Sequence, residues 1–446
     1  MVDEPVSNQS LIRLQQEARL SGEELAKKVN AIGAEMGVGL RYGRASVSQW
    51  RSGTRPRWPV PDLVAEVLSR SLGRTVTAAD AGFAGGGSAE QDGGDAVTQL
   101  ERLGSSAESG WDHRYVFNLH DLDVPVWRPA TEFPPAHRQT PYSGPVGEDE
   151  LETSEEMLEI FSRTEAVHGA SRVAPFLGEY LHRTVAPWLR SPGSTDTRRR
   201  LLRTSARLSY LCGFAYFDLE EHGISQRFYR ASLLLAAEGA DAWGYAVTLR
   251  AMSVQAWHLG HRHQALDLAG AAVDAAARGT DDASSAFLHG QLAVAHAGRD
   301  NRDAALSCLS SAERYMEAAT SGPGTVTYHW AAFAHQRAVV RSLLGDRSGA
   351  TLDFTNAVQW RPACERRSTA LICARLAEHH LDQGQLEQAV SSWHRFLDIY
   401  PSIRSGRARS ALAVLRSRVR PHAAHEVARG LLARATALWR PDTGTR

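Results

Sequence analysis

The chain has 446 residues, 43% of them hydrophobic and 22% charged, with 50 Lys and Arg against 50 Asp and Glu. That length exceeds one ordinary domain, and that composition excludes wholesale disorder. A formal charge of zero means that any nucleic-acid partner has to be argued from local charge.

The opening residues, MVDEPVSNQS, hold no basic region followed by an apolar stretch, so no signal peptide is expected. No apolar run approaches the roughly 20 residues of a spanning helix. A cytoplasmic location with no membrane partner is the expectation.

The first informative element starts at Ser21. The run Ser21-Gly22-Glu23-Glu24 is a capping box: the Ser21 side chain accepts from the backbone three residues on, and Glu24 reaches back. Leu25, Ala26 and Val29 then share one apolar face. A second helix is predicted around Arg44-Ala45-Ser46-Val47-Ser48-Gln49-Trp50-Arg51-Ser52-Gly53, with Val47 and Trp50 facing inward. Gly53 stops it, and Pro56, Pro59 and Pro61 keep it stopped. Its other faces are short and polar or basic. From Arg41 to Arg57 there are five arginines (Arg41, Arg44, Arg51, Arg55, Arg57) and no acid. A helix entering the major groove needs this combination of close approach, few base-reading side chains and phosphate-neutralising flanks. The competing reading is a small helical bundle with an incidental basic rim.

The segment Val47-Ser48-Gln49-Trp50-Arg51-Ser52-Gly53 resembles the close of the recognition helix in Cro/CI-type (XRE) helix-turn-helix proteins. The longer strings RYGRASVSQWRSGTRPRWPVPDLVAEVLSRSLGRTVTAADAGF, HGISQRFYRASLLLA and AMSVQAWHLGHRHQALDLA are similar to actinobacterial regulators that join such a head to a tetratricopeptide-like body. Some members of that set are negative regulators of sporulation and antibiotic production. The resemblance implies that Arg44, Ala45 and Gln49 touch base edges. Ser46, Ser48, Arg51, Ser52, Thr54 and Arg55 would hold phosphates, with Lys27 and Lys28 helping from the first helix. Arg44 to guanine and Gln49 to adenine would each supply roughly 1–3 kcal/mol of discrimination. One departure from the family pattern is the stretch between the helices, AIGAEMGVGLRY (Ala31 to Tyr42), longer than the usual link. A longer first helix would absorb part of it.

The domains expected are a head over residues 1–83, a linker over 84–148 and a helical-repeat region over 149–440. The linker opens with Gly85-Gly86-Gly87 and Gly93-Gly94, and continues with Pro125, Pro129, Pro134, Pro135, Pro141 and Pro145. It also carries Trp111, Tyr115, Phe117 and Trp127, so part of it is expected to dock on the body.

Beyond Asp149 the apolar spacing is helical throughout, giving an all-α fold. Turns are predicted at Gly223, Gly260, Gly298, Gly345 and Gly384, which are 37, 38, 47 and 39 residues apart. After four of them an amphipathic helix leads with Ala265, Ala305, Ala350 or Ala389. In the clearest copy, DQGQLEQAVSSWHRFLDIYP, Trp393 and Phe396 fill the groove between helices and Pro401 ends the unit. Such a period resembles the tetratricopeptide repeat, whose helix pairs bury their apolar faces only by stacking and leave a concave groove.

Gln255, His258 and His296 are the polar candidates for an effector site in that groove. Trp243, Tyr245, Trp257, Tyr328 and Trp330 line either the groove or the packing between repeats. His258, His261 and His263 at one turn, and His379-His380 beside Cys373, read as turn and surface histidines before they read as metal ligands. The four cysteines, Cys212, Cys308, Cys364 and Cys373, form no C-x-x-C pair and read as free, buried thiols. Eight arginines and one acid lie between Arg404 and Arg434, as a solvated cap or a contact for an acidic partner.

There is no P-loop, dinucleotide fingerprint, G-x-S-x-G or H-E-x-x-H motif, so neither enzyme chemistry nor a metal or cofactor is expected. The expectation is a sequence-specific transcriptional regulator, in the first instance a repressor. Its partner is double-stranded DNA, it binds as a homodimer, and its effector is a peptide, protein or small molecule. The alternative is a tetratricopeptide-like interaction scaffold without specific DNA binding.

Overall fold

The computed structural model describes residues 7–36, 38–83, 95–108, 115–119, 122, 124, 127, 144–276, 281–319 and 328–439. Gly85-Gly86-Gly87, Gly93-Gly94, Trp111, Pro125, Pro129, Pro134, Pro135, Pro141 and Arg440 lie outside them. The fold is all-α. Among the described residues the one extended pairing is an isolated parallel bridge between Val146 and Gly193. No helix among them is long and apolar enough to cross a membrane.

Two compact units are present: Met1–Glu155 with Leu177–Leu268, and Glu156–Phe176 with Ala269–Arg446. The head, the described part of the linker and the first repeat helices therefore share one unit, where three successive regions were expected.

In the first unit, α1 (Gln9–Glu17), α2 (Gly22–Glu35), α3 (Arg44–Arg51) and α4 (Val60–Leu72) form the head. The capping box at Ser21 is made on both sides. Leu25, Val29, Val47, Trp50, Leu63, Val64 and Leu68 meet in one core, with Leu11 and Leu14 closing it from α1. Helix α1 escaped the sequence reading. Its signals are Asn8, whose side chain caps the Leu11 N–H, and the three-residue spacing of Leu11 and Leu14.

Helix α5 (Ala96–Glu108) is tied to α8 (Ala186–Arg190) by Arg190, which reaches Asp95, Thr98 and Glu101. Helices α9 (Thr195–Asp218), α10 (His222–Glu238) and α11 (Ala242–His258) follow as packed neighbours. Between the two units the chain runs through α6 (Glu148–His168), α7 (Ala174–Tyr180) and α12 (Arg262–Ala276).

The second unit stacks the hairpins α13 (Asp282–Ala297) with α14 (Arg302–Ala318), α15 (Trp330–Leu343) with α16 (Arg347–Gln359), and α17 (Arg366–Asp382) with α18 (Leu386–Ile399). The final pair, α19 (Gly406–Val419) and α20 (Glu426–Leu438), closes the stack on α17 and α18. Leu412, Leu415, Val419, Leu431 and Ala435 of this pair join the core around Trp393 and Phe396. Part of the C-terminal arginine run is used locally. Arg418 pairs with Asp382, Arg434 with Asp398, and Arg416 lies over the Trp439 ring.

The repeat phase differs from the glycine-based expectation. The left-handed turn residues are Glu220, Gly260, Asp300, Gly345 and Gly384, with φ between 59° and 90°. Their spacings are 40, 40, 45 and 39 residues (260−220, 300−260, 345−300, 384−345). Gly223 lies inside α10, and Gly298 only caps α13 in a right-handed conformation. Five residues after each left-handed position comes a fully buried small residue: Ser225, Ala265, Ala305, Ala350 or Ala389. The small side chain lets the two helices of a pair approach closely. Ser225 fits the same place by turning its hydroxyl onto the Gly213 carbonyl, at 2.8 Å.

Asp300 holds a backbone conformation that costs an L-residue roughly 1–2 kcal/mol, and Gly345 holds it freely. Asp300→Gly should therefore raise stability by up to about 1 kcal/mol, and Gly345→Ala should lower it by about 1–2 kcal/mol. Thermal unfolding of the full chain checks both signs.

Candidate nucleic-acid interface

Helix α3 is held from below by two residues. Val47 and Trp50 are buried, and the Trp50 indole meets Tyr42 edge to face at 5.2 Å. Both ends of α3 are anchored. On the entry side, Asn30 of α2 donates to the Tyr42 carbonyl at 2.8 Å and accepts from the Tyr42 N–H at 2.9 Å. On the exit side, the Arg51 carbonyl accepts from the Asn8 N–H at 2.8 Å and the Ser7 hydroxyl at 3.2 Å. Helix α2 ends at Glu35, so the link to α3 remains long, from Met36 to Gly43. Gly33 permits this link to fold back, since a Cβ there would lie 2.6 Å from the Leu40 side chain. Asn30 and Gly33 are positioning residues that sequence reasoning missed, because their partners lie in an irregular segment.

With Val47 and Trp50 turned inward, most of the rest of α3 faces solvent. Arg44, Ala45, Ser48, Gln49, Arg51, Ser52, Thr54 and Arg55 are exposed, and Ser46 is half-buried. Arg41 and Arg57, flanking them, are exposed as well. The structure thus gathers the predicted base-edge residues Arg44, Ala45 and Gln49 on one short helix, with the predicted phosphate residues on its flanks and in the following turn. Eight helical residues span about 12 Å. Lys27 and Lys28 are exposed on α2, and Lys27 pairs with Glu23 at 3.2 Å. The Ser21 side chain, and then its backbone N–H, hold the Glu24 carboxyl below its ordinary pKa by hydrogen bonding. Glu24 thereby stays ionised at the start of α2, where the helix dipole favours negative charge.

Of the effector-groove candidates, Gln255 and His258 belong to the first unit and His296 to the second. Gln255 is fully buried and donates Nε2 to the His222 carbonyl at 2.9 Å, so it ties α11 to α10 and faces no groove. His258 is exposed and joins Phe217 and His222 in a cluster of rings with centroids 5.6–5.7 Å apart. His296 is half-buried in the second unit, and burial lowers its pKa. Of the aromatic candidates, Tyr245 and Tyr328 are buried, Trp257 carries the Arg262 guanidinium over its ring at 4.5 Å, and Trp330 is exposed.

His261, read from sequence as a turn histidine at the surface, is instead buried against Glu66. His379 is also buried, with Nε2 donating to the Arg347 carbonyl at 2.9 Å. Cys212 and Cys373 are buried, and burial pushes the Cys373 thiol up to about 11. Cys308 is half-buried and Cys364 is exposed, against the expectation of four buried thiols. Among the described residues no cluster of three metal-ligating side chains occurs.

The family model described as the SP15 N-terminal domain matches residues 11–84, which begin inside α1 and run past the end of α4. Comparison of the sequence with curated proteins finds none that matches. Among solved structures, the chain is similar to the crystal structure of BtubC (BKLC) from P. vanneervenii. The identity is 11% and the TM-score 0.32, over 56% of this chain and 90% of that one.

Proposed function

We propose that this protein is a sequence-specific DNA-binding regulator of transcription, with α2 and α3 as a helix-turn-helix and α3 as its recognition helix. One observation carries the reading. A helix fixed by two buried anchors presents only short, polar and basic side chains outward, in a stretch with five exposed arginines and no acid. Base edges are read by a few such residues while phosphates fix the register. The resemblance to Cro/CI-type heads supports the same assignment, and repression is the sign it suggests. A single short helix buries little surface, so a homodimer on half-sites about 34–36 Å apart is expected. The repeat helices would then serve dimerisation and the binding of a peptide, protein or small-molecule effector. Such an effector acts only through its different affinities for the two arrangements of the heads.

Two variants separate base reading from phosphate holding. Arg44→Ala should lose about 1–3 kcal/mol on the preferred sequence and relax base choice there. Arg55→Ala should weaken every sequence alike and reduce the slope of affinity against salt by about one. Fluorescence anisotropy on specific and random duplexes, at about 50 and about 200 mM salt, reads both effects. Equal losses on every sequence for both variants would contradict the assignment. Binding insensitive to salt would favour an interaction scaffold.

A further inference from the structure

Glu66 lies in the middle of α4, and its side chain is 1% exposed. One of its oxygens, Oε1, takes two partners. Arg70 donates from one helical turn away at 2.8 Å, and His261 Nε2 lies at 2.7 Å. His261 belongs to the turn between α11 and α12, 195 residues away in the chain, and its side chain is fully buried. Glu66 Oε2 and His261 Nδ1 are buried with no hydrogen-bond partner among the described residues. Removing one partner from a buried polar junction of this kind is costly, because it leaves the other unpaired in the interior.

A strap formed by residues 115–119 runs alongside this junction. The Phe117 ring stacks on His261 at 5.4 Å, and Val116 enters the core of the head. Asn118 is clamped to Gln226 of α10 in both directions, its N–H donating at 3.2 Å and its carbonyl accepting at 2.7 Å. The Tyr115 carbonyl rests on Gly223 so closely that a Cβ there would lie 1.8 Å from its oxygen. This contact accounts for a glycine inside α10, where no turn requires one. The strap thus touches the head on one side and α10 and the α11–α12 turn on the other.

We propose that the strap and the Glu66–His261 pair form a latch that makes the head part of the first repeat helices. Displacement of the α11–α12 turn is thereby transmitted to α4, and through the shared core to α3. The latch goes beyond the DNA-binding reading, and only its consequence for α3 rests on that reading. It assigns a role to one histidine of the turn cluster and to Phe117 of the linker, which neither the helical repeat nor the head explains.

Amide hydrogen exchange of the full chain tests it, with Glu66→Gln, His261→Ala, His261→Gln and Gly223→Ala as variants. Glu66→Gln and Gly223→Ala should each speed exchange throughout α1–α4 by about tenfold or more. His261→Ala should match them, and His261→Gln, which keeps a donor, should recover most of the protection. DNA affinity should fall in step with the loss of protection. Arg44→Ala should lose affinity with exchange unchanged. Faster exchange confined to α10, α11 and the turn, with α1–α4 as in the wild type, would overturn the latch. If the wild type binds no DNA while the variants still loosen α1–α4, the latch stands and the DNA-binding reading falls.

Discussion

Trp50→Ala is expected to unfold the head and, with it, to abolish the proposed DNA binding. Trp50 is 3% exposed and is the largest side chain beneath α3. Removing a buried Trp side chain costs about 3–5 kcal/mol, because transferred area is lost and a cavity remains. The head is four helices around one small core, so a loss of that size is a large share of its stability. Tyr42 loses its edge-to-face partner at the same time, which releases the link that Asn30 pins. Trp50→Phe keeps much of the volume and should retain binding with a smaller loss. Near-wild-type exchange protection of α1–α4 in Trp50→Ala would show that α3 is not held in the way described.

Trp393→Ala should have an effect of the same size in the second unit. Trp393 is fully buried where α17, α18, α19 and α20 converge on Phe396, Leu397, Leu412 and Leu415. The expected loss is again about 3–5 kcal/mol. Stacked helix pairs draw their stability from their neighbours, so the pairs beside the cavity should melt first. The indole N–H has no hydrogen-bond partner among the described residues, so Trp393→Phe removes an unsatisfied donor along with some volume. It should cost clearly less than the alanine variant. Chemical unfolding followed by exchange of α17–α20 distinguishes the two. A single transition, unchanged in midpoint, would contradict the stacked-pair account.

The parts legible in the sequence are those whose signals are local. The Ser21 capping box, the spacing of Val47 and Trp50 and the stop at Gly53 each lie within one helical turn or two, and each sits where expected. The helical-repeat architecture was legible from the alanine positions. Its phase was not, because Glu220 and Asp300 occupy left-handed turns that a search for glycine passes over. Gly223 misled for a related reason, since a glycine required by a neighbouring backbone looks the same as a glycine required by a turn. Gln255 and His261 were misplaced because burial of a polar side chain depends on a partner elsewhere in the chain: the His222 carbonyl for one, Glu66 for the other. Docking of residues 115–119 was hinted at only by aromatic content. Its register is set by Gln226, Gly223 and His261, more than one hundred residues downstream.

Selection of genomic fragments by the purified protein, at low and at moderate salt, tests whether α3 reads DNA sequence. The expected result is enrichment of a two-fold-symmetric motif that weakens as salt rises and disappears in Arg44→Ala. Retention of random DNA with no motif, or no retention at all, would contradict it and leave the repeat helices as the working part of the molecule.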